Sequence, residues 1–432
     1  MTEFEKLFKC GNHSQIVKCG HYLEGLFHEC KSNIERMEER VPNSDYQKLQ
    51  YFISESPWDA FAVMDQVSLN TYKNISLVGA PIGFIFDECG WEKNGTKSVG
   101  VSRQYIGNVG KVCNSQLGVF GALCSGDKVA LAQGRLFLPE SWTKDKKRCL
   151  KAGIPEDKIV YKTKGQLCVE ILEALPDSVV FDWVGGDSIY GNSPDLRHYL
   201  EKKKLPFVMD VGSELGVYLE HPQPFIPSPK GGRGRQPKNF TSNFKAIQIK
   251  NIVKQIPNDG WTTITHRTGT KGPMVRKVHV MDIYLWSTEF KDNVECLKLI
   301  FSTELDGSEL KYSVCYNPTE VFDPEVALYR QMGRYWVERA FQNVKEQLGI
   351  HQYQVRSWKS WYHHIALTMM ALGFILQTQI ENKEEMPLLS CADVKMVFAN
   401  SLLSKLDTPE GLEKAIKDRH KLRQKDLIYN KT

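Results

Sequence analysis

Asp87 and Asp187 stand in matching contexts. Each follows a short apolar run, PIGFIFD in one case and DSVVFDWVGGD in the other. Runs of this length read as buried strands, and we expect each acid at the C-terminal end of its strand. Acids there project from the sheet edge, where sites in α/β proteins commonly form. A single acid after a strand often serves only as a turn or helix cap. Two brought together would repel unless a cation lay between them. Mg²⁺ suits such a pair, because it is a hard ion that takes oxygen ligands.

A third acid comes from helical spacing. In the stretch YRQMGRYWVERAFQNVKEQLGI, a rotation of about 100° per residue puts Gln331, Arg334, Glu338 and Lys345 on one narrow face. Met332, Trp336, Val337, Ala340, Val344 and Leu348 fall on the other side. The ordinary reading of such a face is solvated, with an Arg334–Glu338 ion pair one turn apart. The alternative joins Glu338 to the two aspartates. Two Mg²⁺ ions about 4 Å apart, held by three carboxylates, can activate a water or a 3′-hydroxyl and stabilise the leaving oxygen. Arg334 and Lys345 would then contact phosphates.

The elements that must position these groups follow from the rest of the chain. With 432 residues, about three domains are expected. The 20 Phe, 17 Tyr and 9 Trp are enough for sizeable cores, so disorder throughout is excluded. Residues 1–78 read as a helical domain, with SPWD at 56–59 as a helix start in which Ser56 is the cap. Residues 79–212 begin with strands and then alternate helix and strand, which predicts a mixed α/β sheet. Residues 213–320 read as β-rich, with Asp306-Gly307 turning a hairpin. Residues 321–385 return to helix and carry Glu338. The apolar run Ile365–Gln377 is too short to span a bilayer, so a buried helix is expected. Residues 386–432 form a charged helical tail.

The sequence has 11 Cys, an odd number scattered along a long chain, which points to reduced thiols rather than a disulfide framework. Cys10, His13, Cys19, His21, His28 and Cys30 crowd the start with irregular spacing. Zinc sites favour paired ligands such as CxxC, so buried thiols and surface histidines are expected here. No signal peptide is visible, and a soluble, intracellular protein is expected. The net charge of +5 permits an anionic partner without demonstrating one.

These residues together resemble a DDE (Asp-Asp-Glu) insertion-sequence transposase. The branch it resembles carries a Tyr-Arg-Glu-Lys signature around the third acid. Arg334, Glu338 and Lys345 fit the signature's spacing, while Gln331 stands at the tyrosine position, with Tyr329 and Tyr335 nearby. FIFDECGWEKNGTKSVGVSRQYIGNVGKVCNSQLGV is similar to the first-Asp block and VVFDWVGGDSIYGN to the second. RLFLPESW, WTTITHRTGTKGP and HQYQVRSWKSWYHHIALTMMA are similar to further stretches. The resemblance runs from about residue 20 to 395. It implies a ribonuclease-H-like core interrupted by a β-rich insertion, behind a helical N-terminal domain that binds terminal inverted repeats. It makes Asp87, Asp187 and Glu338 the ligands of two Mg²⁺ ions, with Mn²⁺ as a substitute, and it ranks Glu88 below Asp87 and Asp182 below Asp187.

Double-stranded DNA is the implied partner, both element ends and target, with a homodimer on DNA and no membrane. The loop SPKGGRGRQPKNF, with Lys230, Arg233, Arg235 and Lys238, is the densest basic stretch without acids and could follow a phosphate backbone. Arg103, just after the first-Asp block, is a further candidate contact. Trp358, Trp361, His363 and His364 are expected mainly to pack. The implied activity is cut-and-paste transposition by nicking and 3′-hydroxyl transfer, in the cytoplasm on DNA. Two alternatives stay open, a transposase-derived DNA-binding protein that has lost cleavage and a ribonuclease-H-like nuclease that cuts without joining.

Overall fold

The computed structural model describes the whole chain except residues 1, 29–30, 108, 229–236, 270–271, 289–290, 292, 319–321 and 430–432. Helices α1 (Ile16–Phe27), α2 (Ile34–Arg40), α3 (Tyr46–Ser54) and α4 (Ala60–Ser76) come first. Asn33, Asp45 and Asp59 cap the last three, each accepting a bond from a backbone N–H of the first turn. The expected cap at Ser56 is therefore replaced by Asp59. Pro57 and Trp58 stay extended, because the Trp58 ring is buried with its indole donating to the Phe52 carbonyl at 3.1 Å.

A ten-stranded mixed sheet follows. Its strands are β1 (Ile82–Glu92), β2 (Ser102–Ile106), β3 (Lys111–Ser125), β4 (Lys128–Leu136), β5 (Trp183–Gly186), β6 (Phe207–Asp210), β7 (Thr262–Gly269), β8 (Gly272–Leu285), β9 (Glu295–Thr303) and β10 (Lys311–Tyr316). The order is β7-β8-β9-β10-β6-β5-β1-β3-β2, with β4 also on β3. In this sheet the β1–β5 and β5–β6 pairs are parallel and the other pairs antiparallel. The expected strands at 116–124 and 129–137 are β3 and β4, and the Asp306-Gly307 hairpin joins β9 to β10 with Gly307 at φ +86°. The strands of 213–320 do not form a separate layer, since β10 pairs antiparallel with β6 and the ladder runs on through β9, β8 and β7.

Helices cover both faces. α5 (Lys164–Ala174) and α7 (Pro194–Lys202), with the short α6 (Ser188–Gly191) between them, lie over Phe84, Phe86 and Met209. On the other face lie α8 (Pro324–Gly333), α9 (Tyr335–Leu348) and α10 (Trp358–Glu381). The N-terminal helices pack on α10 and share its core, and α11 (Cys391–Ser401) and α12 (Pro409–Tyr429) complete the tail. α10 is buried as expected. His363 bonds the Ile53 and Trp58 carbonyls, and His364 bonds Tyr22 and the Ile350 carbonyl, so these histidines pack the core. Among the described residues no helix is long and apolar enough to cross a membrane.

Candidate active site

The site is built on strand register. In the paired rows Phe86 lies beside Gly186, and Gly186 beside Met209. One residue further along each chain come Asp87, Asp187 and Asp210. Three carboxylates therefore stand in one row across three parallel strands. Side chains alternate along a strand, so Asp87 and Asp210 face away from Phe86 and Met209, toward α8 and α9. Asp187, just past the end of β5, is close enough to act on both Asp87 and Glu88.

The expected position at a strand end holds for Asp187 and is corrected for Asp87. Asp187 does follow the last residue of β5, and it also caps α6 through a 2.9 Å bond from the Ile189 N–H. Asp87 does not end its strand. β1 continues to Glu92, because all eleven residues pair with β3 and the later Cys89 and Trp91 are buried. Asp210 was not foreseen, although LPFVMDV repeats the apolar-run-then-acid pattern of the other two.

Glu88, next to Asp87, points to the opposite face. There it meets Lys164 Nζ at 2.7 Å and accepts from the Tyr190 hydroxyl at 3.2 Å. Asp182 accepts from the Ile82 N–H at 2.6 Å, a tie between strand ends.

The third acid arrives on α9, but the continuous helix expected from Gln331 onward is broken. α8 stops at Gly333, Arg334 is the joint, and α9 begins at Tyr335. The close approach to Trp183 accounts for the glycine, since a Cβ at Gly333 would lie 2.9 Å from that ring. Gln331 is not solvated as the polar-face reading expects, because it lies against the β9–β10 strands. It is 3% exposed, accepts from Ser302 Oγ at 2.6 Å and donates to Ser313 Oγ at 2.7 Å.

Arg334 stands among the acids. Its Nε lies 3.0 Å from Asp210 Oδ2 and a terminal nitrogen 2.7 Å from Glu338 Oε1. The expected Arg334–Glu338 pair is therefore present, with Asp210 as an additional partner. Burial raises the Asp87 carboxyl to about 7, with the Asp187 charge as the next contribution. Asp187 is also raised, by burial first and then by Glu88. Neighbouring carboxylates of this kind carry a proton or accept a cation. That donor set, hard oxygens under mutual repulsion, fits divalent ions held by Asp87 and Asp187, with Glu338 as the group that would join them.

Lys345 is half-buried, and its charge acts on the Cys89 thiol, two residues beyond Asp87 on the same face of β1. Arg103 is exposed on β2, which pairs only with the far end of β3. Lys238 is exposed, and Lys230, Arg233 and Arg235 lie outside the described residues.

A cleft of about 1390 Å³ opens beside Glu338, between the β7–β8 ladder and the α8–α9 joint. His266, Arg267, Lys311, Tyr335 and Trp336 are among its walls. The Arg267 guanidinium lies 5.5 and 5.4 Å from the Tyr335 and Trp336 ring centres. Burial, then the charges of Arg267, Arg276 and Lys311, push His266 down to about 4. The cleft carries both signs of charge, with Asp127, Glu304, Asp306, Glu309 and Glu338 beside Arg267, Arg276, Lys311 and Arg334, and sequence reasoning did not foresee it.

Among the described residues, one trio of possible ligands brings its donor atoms within 4.8 Å of one another, and it is His198, Glu201 and Glu295. Both Glu295 oxygens there are already held by Arg197, at 2.7 and 2.8 Å. That trio is neutralised by an arginine and serves to join α7 to β9.

The mixed sheet flanked by helices, with acids in a row on neighbouring strands, defines a nuclease-like α/β protein with a ribonuclease-H-like fold. Residues 6–273 match the model of the DDE superfamily endonucleases, so the chain belongs to that family. Asp87, Asp187 and Asp210 fall inside the match, and Glu338 lies beyond it. The chain is also 35% identical over 171 residues to a protein of Microchaete diplosiphon described as a "Probable transposase for insertion sequence element IS701". That alignment covers 39% of this chain and 41% of the relative. Enzymes of the DDE endonuclease family use divalent metal ions.

Proposed function

We propose that this chain is a cut-and-paste DNA transposase. In this reading it binds the terminal inverted repeats of an element, nicks them by hydrolysis and joins the freed 3′-hydroxyls to target DNA. The observation that carries the proposal is the carboxylate row, with Arg334 bonded both to its Asp210 and to Glu338 on α9. Asp87, Asp187 and Glu338 would hold the metal, Mg²⁺ in the cell and Mn²⁺ as a substitute. Divalent ions bound there supply the Lewis acidity that phosphoryl transfer requires.

The chain's own groups do the rest. Arg267 and Lys311 line the cleft as phosphate contacts. Arg334 and Lys345 sit where a scissile phosphate would meet the acids, and Arg103 and the 230–238 loop would extend the DNA track. The helices of 1–78 would bind the repeats, and synapsis of two ends calls for a homodimer on DNA. Such an enzyme works in the cytoplasm, at the nucleoid of a prokaryotic host.

The test is a cleavage and joining assay with Mg²⁺ or Mn²⁺ on duplexes carrying the inverted repeats that bracket the gene. Nicks at the repeat ends followed by joined products support the reading. Binding without cleavage would leave a DNA-binding derivative, and cleavage without joining would leave a nuclease.

A further inference from the structure

Asp210 belongs to the acid row, yet its oxygens are committed to other groups. Oδ1 accepts from Ser313 Oγ at 2.6 Å and Oδ2 from Arg334 Nε at 3.0 Å. Ser313 in turn accepts from Gln331 Nε2 at 2.7 Å, and Gln331 Oε1 accepts from Ser302 Oγ at 2.6 Å. At the other end Arg334 reaches Glu338 at 2.7 Å. The bonds form one continuous relay, from Ser302 through Gln331, Ser313, Asp210 and Arg334 to Glu338. Ser302, Ser313 and Gln331 are buried, and the side chains of Asp210 and Arg334 are 20% and 23% exposed.

Arg334 has a structural reason to need such a hold. It is the residue between α8 and α9, where its backbone is helical, at φ −52° and ψ −32°, but its side chain is left to find its own partners. A long side chain at a joint has many rotamers, and a charge-assisted bond to a buried carboxylate selects one. The carboxylate is fixed in its turn. It is the last residue of β6, and its carbonyl oxygen lies where a side chain on Gly191 would run into it.

We infer that Asp210 is a positioning residue: it fixes the Arg334 guanidinium so that its far end holds Glu338 toward Asp87 and Asp187. The inference rests on the proposed reading of those acids as the reacting site. It gives Gln331 a purpose as well. Where the Tyr-Arg-Glu-Lys signature has a tyrosine, this chain has an amide that can accept from one serine and donate to another, as the relay requires.

Asp210→Asn is the decisive variant. Its single oxygen can accept from Ser313 or from Arg334 but not from both in the present geometry, while the volume is kept. The first readout is structural, the Arg334 Nε–Hε resonance in ¹⁵N-arginine-labelled full-length protein, assigned by its loss in Arg334→Lys. We expect that resonance to shift or broaden away in Asp210→Asn. The second is the cleavage rate on pre-bound ends, expected to fall about tenfold or more with end binding within about twofold. The third is a double-mutant cycle, in which Asp210→Asn adds less than about twofold to Arg334→Gln.

An unchanged Arg334 resonance in a folded Asp210→Asn protein overturns the inference. So does an undiminished further loss in the Arg334→Gln background, which would make Asp210 act on its own. Should Asp210→Asn not fold, Ser313→Ala removes one bond of the relay and is expected to slow cleavage about two- to fivefold and shift the same resonance; no shift overturns the inference. If the wild type cleaves no repeat end but the resonance still depends on Asp210, the transposase reading fails and the positioning link stands.

Discussion

Arg197 grips Glu295 through two bonds, of 2.7 and 2.8 Å, and gives a third, of 2.6 Å, to the Gly191 carbonyl. One guanidinium thus ties strand β9 to the C-terminal end of α6, the short helix that Asp187 caps. Both ionic partners are nearly inaccessible, with side chains 5% and 3% exposed. Removing one member of such a pair strands the other charge in a low-dielectric setting, typically at a cost of about 3–5 kcal/mol. Glu295→Gln should therefore lower the unfolding free energy by roughly that amount in urea titrations. Replacing both residues with apolar ones should cost less than Glu295→Gln alone.

The three signature acids make a sharper prediction. Asp87→Asn, Asp187→Asn and Glu338→Gln should each reduce end cleavage by about a thousandfold or more, since each removes an anionic ligand. Gel-shift affinity for the same ends should stay within about twofold. Substantial cleavage by any one purified variant would remove that residue from the reacting site.

The pH dependence follows from Asp87. Its carboxyl is raised from 3.8 to about 7 by burial and by Asp187. Between those values the folded chain holds a proton that the unfolded chain has lost. Its contribution to stability is therefore full below about pH 4 and declines as pH rises to about 7. In EDTA, wild type and Asp87→Asn should melt at similar temperatures near pH 4, and the variant should melt higher at pH 8. Added Mn²⁺ should raise the wild-type melting temperature more at pH 8 than at pH 6, because binding must expel that proton.

Gln331→Tyr would restore the residue of the signature that this chain resembles. The site is buried and both ends of the amide are bonded, so a phenol must displace Ser302 or Ser313. The expected result is a loss of about 1–3 kcal/mol in stability, from overpacking and from serine hydroxyls left unpaired. A tyrosine that leaves stability intact and speeds cleavage would show that the relay is dispensable.

The cleft predicts a salt effect. Arg267→Ala and Lys311→Ala should each lower the slope of log affinity against log salt by about one, as expected when one phosphate fewer is neutralised by the protein. Lys238→Ala, on an exposed loop, offers a comparison. If none of the three changes the slope, the DNA takes another route across the protein.

Much of this was readable in the residues. The apolar runs before Asp87 and Asp187 pointed to strands, and the DG turn to the β9–β10 hairpin. The long apolar stretch pointed to the buried α10, because local pattern and burial agree there. What could not be read was register. Asp210 carries the same pattern as the other acids, but its place beside them depends on which strands pair, a tertiary property. The break at Arg334 was hidden for a related reason. Helical periodicity runs through residues 331–345 without interruption and Arg334 itself keeps helical dihedrals, so the local pattern does not mark the joint, and the tryptophan that Gly333 packs against comes from a distant strand. The cleft holding Arg267 and Lys311 was missed because its walls come from β7, β10 and α9, far apart in the chain.

The insertion's strands share the sheet that carries the aspartates, and this divides the site mechanically. Asp87, Asp187 and Asp210 hang from three neighbouring strands locked by ladders on either side. A backbone shift at one of them would have to move a large part of the molecule. Glu338 hangs from a helix joined to its predecessor by a single residue. The site thus draws its acids from two kinds of support, a row on the sheet and a helix whose buried face, Val337, Ala340, Val344 and Leu348, is packed into the core. The Arg334 side chain spans the two, so a change in either support is felt at the other through one guanidinium.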